Sequence, residues 1–98
     1  MYTSVRRYNM TNAESVEEIT QRVSEGFVPI ISGTPGFIAY SVVDAGNGVI
    51  ASISTFGDQA GAEEASRRAA DWVKHNLAHV IPDPPQVTAG TVTLYKAK

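Results

Sequence analysis

A chain of 98 residues is one domain's worth of sequence, 1–98, and has little apolar side-chain material to spare for its core. With 8 Lys and Arg scattered among 10 Asp and Glu, its net charge of -2 excludes the basic stripe that nucleic-acid binding needs. The absence of Cys removes disulfides and thiol chemistry, no apolar run nears the ~20 residues of a membrane span, and a cytoplasmic location is expected.

Tyr2 to Asn9 carries Tyr2, Val5 and Tyr8 without a helical period, which predicts a first strand. Thr11-Asn12-Ala13-Glu14 has capping-box spacing, and behind it Val16, Ile19, Val23, Phe27 and Ile30 recur at helical steps. Gly26 and Pro29 are expected to weaken or kink the last turns of this helix, and Gly33-Thr34-Pro35-Gly36 to end it. Phe37 to Asp44 and Val49 to Phe56 are β-rich runs around Ala45-Gly46-Asn47-Gly48. Asn-Gly between such runs predicts a hairpin, because both residues tolerate positive φ.

Asp58 is placed to cap a second helix whose inward stripe is Ala62, Ala65, Ala69, Trp72/Val73 and Asn76/Leu77. Glu63 and Glu64 early in it, and Lys74 and His75 late, suit the helix dipole. Ile81-Pro82-Asp83-Pro84-Pro85 is an extended connector, and Val87 to Lys96 alternates as a last strand.

The order is βαββαβ, an α+β chain with a four-stranded antiparallel sheet and two helices on one face. Neither face of the hairpin is polar enough for water, so a second copy of the chain is expected on the uncovered one, making a homodimer. With an even loop count, Phe37, Ala39, Ser41 and Val43 share a face with Ile50, Ser52, Ser54 and Phe56. Ile38, Tyr40 and Val42 then share the other with Val49, Ala51 and Ile53. Small residues such as Ser41 and Ser54 opposite an alanine stripe give either tight packing or a pocket with polar handles.

Arg68, Trp72, His75 and His79 lie along one edge of the second helix. They read as a substrate-facing strip with His75 as general base and Trp72 as stacking wall, or as a core-edge Trp beside a solvated His pair. Asn76 on the inward stripe is either a ligand-binding amide or a helix-end cap. Arg7 beside Tyr8 either meets an anionic ligand or pairs with surface carboxylates. Two His four apart without a carboxylate make no metal site, and the glycine turns lack phosphate-loop spacing.

Val5-Arg6-Arg7-Tyr8, Pro35-Gly36-Phe37, Ser52-Ile53-Ser54-Thr55-Phe56, Asp58-Gln59-Ala60 and Ala70-Asp71-Trp72-Val73 resemble the dimeric α+β barrel superfamily. The likeness is to its antibiotic-biosynthesis-monooxygenase-like branch, a ferredoxin-like fold. It implies a dimer whose sheets meet face to face, with Ile38, Tyr40, Val42, Val49 and Ile53 in the interface. It also implies a pocket in each subunit between sheet and helices, holding a small aromatic or polyketide-like molecule, with no organic cofactor. His75 and Asn76 are the candidate catalytic residues, and Arg7, Ser41, Ser54, Phe56 and Trp72 the candidate substrate contacts. The alternative is a non-catalytic ligand-binding or accessory dimer of the same fold.

Overall fold

The computed structural model describes residues 1–10 and 16–98. Its strands are β1 (Tyr2–Asn9), β2 (Phe37–Gly46), β3 (Val49–Phe56) and β4 (Gln86–Thr91). They pair antiparallel throughout, in the order β2-β3-β1-β4. The helices are α1 (Val16–Arg22), α2 (Val28–Ser32) and α3 (Gln59–Asn76). This is the expected ferredoxin-like α+β architecture, with the helices on one face of the sheet. The Thr11–Glu14 capping box lies outside the described residues.

A π-helical turn, Val23–Phe27, joins α1 to α2, and the Val28 N–H reaches back five residues to the Val23 carbonyl. It ends two residues before Pro29, which has no N–H for a regular ladder and whose ring crowds the preceding turn. The expected kink takes this form. At α3, Asp58 is extended (φ -143, ψ 169) and its carboxylate accepts from Gly61 N at 2.8 Å. Gly61 also allows close docking, since a Cβ there would stand 2.6 Å from the Pro35 carbonyl oxygen. Ala62, Ala65, Ala69 and Leu77 face inward and are buried. Asn76, expected on that stripe, is exposed.

The hairpin forms as predicted, with Asn47 and Gly48 at positive φ (54 and 77), but its faces are not those of an even loop. Gly46 pairs with Val49 and Asp44 with Ile50, leaving Ala45 as an extra residue. One extra residue reverses the faces of β2 relative to β3. Tyr40 and Val42 therefore join Ile50, Ser52 and Ser54 on the helix side. Ser41 and Val43 join Ala51 and Ile53 on the open side. A second irregularity at Ile38 returns Phe37 to the helix side, where its ring meets Phe56 edge-on at 5.8 Å.

The last strand is shorter than expected and stops at Thr91. Its neighbour β1 runs out there, with Tyr2 opposite Thr91. A further bond from Val92 N to Met1 O (2.9 Å) ends the contact, and Leu94 and Tyr95 stand exposed.

Candidate binding site

Strand alternation turns Ser4, Arg6 and Tyr8 of β1 toward the helices, alongside Ser54, Ser52 and Ile50 of β3. Between this face and the helices lies a cavity of about 40 Å³. Ile19, Val23 and Phe27 from the α1–α2 segment, Trp72 from α3 and Leu77 at its end, and Tyr40 from β2 make its apolar walls. Phe27 is the hinge of the aromatic wall, 5.6 Å from the Tyr40 ring edge-on and 5.8 Å from the Trp72 ring. The indole reaches this position because residue 26 is glycine. A Cβ there would stand 2.8 Å from Trp72 Cζ2.

The cavity is too small for a polycyclic molecule as it stands. Tyr8, Val73 and Ile81, however, also line an outer groove of about 340 Å³ between the end of α3 and the connector Pro82–Pro85. The groove by itself has the size of an ordinary small-molecule site.

The polar end of the cavity is made by Tyr8, Tyr40 and Ser52, and behind them lies Arg6, 3% exposed. Its guanidinium donates to Ser66 Oγ at 2.9 Å, Ser54 Oγ at 3.2 Å and Ser52 Oγ at 3.3 Å. Burial pushes the Tyr8 and Tyr40 phenols above their ordinary range, because their ionised forms would lose water. The Arg6 charge and hydrogen bonding, to Arg6 and Ser52 for Tyr8 and to Ser52 for Tyr40, offset part of that rise. At neutral pH both phenols are proton donors beside a fixed cation.

The residues expected from sequence divide sharply. Trp72 lines the cavity, and Ser54 is fully buried and holds Arg6. Tyr40 and Val42, expected at a subunit interface, line the cavity instead, for the reason of register given above. Ser41 faces away from it on the open side of the sheet. Phe56 is buried against Phe37 but is not among the lining residues. Arg7 points outward and bonds to Gln86 Oε1. His75 and Asn76 are exposed and bond back to their own helix, at Asp71 O (2.7 Å) and Trp72 O (2.8 Å). Val49 and Ile53 lie on the open face as expected, and Ile38 is exposed at the β2 irregularity.

Arg6 was the residue to find. Arg7 and Tyr8 are neighbours in a strand and cannot share a face, whereas Arg6 and Tyr8 must. Among the described residues no group of three or more His, Cys, Asp or Glu could hold a metal ion, and no helix is long and apolar enough to cross a membrane.

No protein-family model matches the chain, and no curated protein matches it by sequence. Solved structures match it closely in shape. A protein of unknown function from Nitrosomonas europaea superposes with a TM-score of 0.79 at 16% identity, covering 99% of this chain and 93% of that one. The monooxygenase encoded by ActVA-Orf6 of Streptomyces coelicolor, in complex with nanaomycin D, gives 0.76 at 12%, covering 99% and 91%. SnoaB, a cofactor-independent oxygenase from Streptomyces nogalater, gives 0.62 at 15%, covering 98% and 94%. At these identities the likeness is one of fold, a fold that this chain shares with solved structures described as antibiotic biosynthesis monooxygenases.

Proposed function

We propose that this chain is a homodimeric small-molecule protein of the cofactor-independent oxygenase kind, holding an aromatic or polyketide-like phenol between sheet and helices. The observation that carries the reading is the cavity's composition: a wall of Phe27, Tyr40 and Trp72 leading to the polar end at Tyr8 and Ser52, with Arg6 behind. Aromatic walls stack a planar ring, and a few convergent polar groups fix its orientation. Chains of the same fold at similar length include the two oxygenases named above.

The chemistry asks little of the protein. A phenol that loses its proton carries electron density at a ring carbon, which oxygen can attack to form a hydroperoxide. Loss of water then leaves a quinone, so one oxygen atom stays on the product and the other departs as water. The substrate supplies all the electrons. Residues of this chain would exclude water, orient the ring and stabilise the anion.

A second reading is non-catalytic ligand binding, and one observation favours it: among the described residues no His, Asp or Glu lines the inner cavity, and Asp83 stands only on the outer groove. A substrate must then ionise without a side-chain base. Oxygen uptake with 1-naphthol separates the two readings. Uptake with naphthoquinone formation supports the oxygenase, saturable binding without uptake supports the binder, and absence of both sinks the site.

The partner is proposed from burial. Val5, Val49, Ala51 and Ile53 form an apolar patch on the open face, beside Arg7 and Asn9, that one chain leaves uncovered, and a second copy with the same face covers it by two-fold symmetry.

A further inference from the structure

Among the described residues Arg6 is the one charged side chain that is buried. Its partners are three serine hydroxyls, at 2.9 to 3.3 Å, and the Tyr8 phenol. Hydroxyl dipoles solvate a guanidinium but do not neutralise it. The ion pairs formed on α3 join Arg67 and Arg68 to Glu64 at its surface and leave Arg6 outside them. Tyr8 faces it from β1, Tyr40 from β2 and Ser66 from α3, while its neighbour in β4 is Val87. None of these carries a negative charge at neutral pH.

A guanidinium kept for packing alone would serve worse than Met at the same place, because buried charge without a counter-charge is unfavourable. Arg6 is also fixed in direction. Three hydroxyls from β3 and α3 hold its nitrogens, and Ser52, one of the three, lines the cavity together with Tyr8. The electrostatic pull of Arg6 therefore reaches the cavity's polar end through a short hydrogen-bonded layer.

We infer that Arg6 is the resident counter-charge for the bound molecule, so that the site takes an aromatic weak acid as its anion. The charged oxygen sits against the Tyr8 and Ser52 hydroxyls, and the apolar body lies against Phe27, Tyr40 and Trp72. Phenolate, enolate and aryl carboxylate share this chemistry. The inference rests on the small-molecule site proposed above and adds the charge state in which that site binds. It also accounts for the missing base: the proton leaves to solvent as the acid enters, and Arg6 makes that loss favourable.

The test uses two probes of nearly equal size, 4-nitrophenol and 4-nitroanisole. The first ionises and its phenolate absorbs in the visible, whereas the second cannot ionise. The intact protein is expected to bind 4-nitrophenol as the phenolate, at least about tenfold more tightly than 4-nitroanisole, and to lower the bound probe's ionisation midpoint by about one pH unit or more. Arg6→Met is expected to bind both probes equally and to abolish the shift. Arg6→Lys, which keeps the charge, is expected to retain a reduced preference, and it decides the matter if the Met variant does not fold. Equal binding of the two probes by the intact protein, or an undiminished preference in Arg6→Met, overturns the counter-charge and leaves the pocket standing. Complete loss of preference in Arg6→Lys, with Trp72 fluorescence unchanged, also overturns it. Failure of both probes to bind removes the pocket and this inference with it.

Discussion

Taking a guanidinium out of water costs several kcal/mol even after the surroundings relax, and the Ser52, Ser54 and Ser66 hydroxyls return part of that. Arg6→Met is therefore expected to make the ligand-free protein more stable, by roughly 1 kcal/mol or more in urea denaturation. A loss of that size would mean that the three hydrogen bonds outweigh the desolvated charge. The two phenols beside Arg6 give a pH signature. Both are pushed above the ordinary 10.0, chiefly by burial. The unfolded chain gives up these protons near pH 10 while the folded chain still holds them, so their contribution is complete below about pH 10 and is lost as pH rises beyond it. The melting temperature should fall above about pH 10, and fall less steeply in a Tyr8→Phe/Tyr40→Phe double variant. Parallel curves for the two proteins would refute this. Much at this scale could not be read along the chain. Arg6 becomes visible only when β1 is laid against β3, which puts it opposite Ser52 with Ser54 one step along the same face. His75 drew attention by its chemistry, yet it sits on the solvent side of α3, two positions before the inward Leu77.

At the scale of elements, sequence patterns read well wherever the physics is local. Asp58 is an N-cap because its own carboxylate meets Gly61 N, three residues on. The alanine stripe of α3 follows from a period of 3.6, and the kink before Pro29 from a missing N–H. Asp58→Ala should cost about 1 kcal/mol, measured by chemical denaturation with an unchanged m-value. Gly61→Ala should cost more, about 1–3 kcal/mol, despite alanine's better helix propensity, because the new methyl must displace the Pro35 carbonyl or tilt the helix. A stabilised Gly61→Ala protein would show that this end of α3 is free to move. The hairpin marks where local reading ends. Asn47-Gly48 identifies the turn, but whether Ala45 pairs or bulges depends on which face of β2 meets Phe27 and Trp72. That is tertiary packing, and one residue of register exchanged Tyr40 and Val42 for Ser41 and Val43.

For the whole molecule, the count of faces against covering elements is a stronger guide than any motif. The helices occupy one side of the sheet, and Val5, Val49, Ala51 and Ile53 remain on the other, flanked by Thr3, Arg7, Asn9, Ser41 and Thr55. This argument survives the reversal of β2, because it rests on β1 and β3 at the centre of the sheet, whose pairing is regular over all eight residues of each. Ile53 stands opposite both Val5 and Ser41, at the middle of that face. A carboxylate there would be buried without a partner in a face-to-face dimer, at a cost of several kcal/mol, but would meet water in a monomer. Ile53→Asp should accordingly shift the protein from dimer to monomer in sedimentation at micromolar concentrations. Its Trp72 fluorescence should stay near that of the parent, since the indole lies on the other side of the sheet against Phe27. The parent's melting temperature should rise with protein concentration, and the variant's should not. A parent that sediments as a monomer would remove the dimer, while the site under the helices, built wholly from one chain, would stand or fall on its own probes.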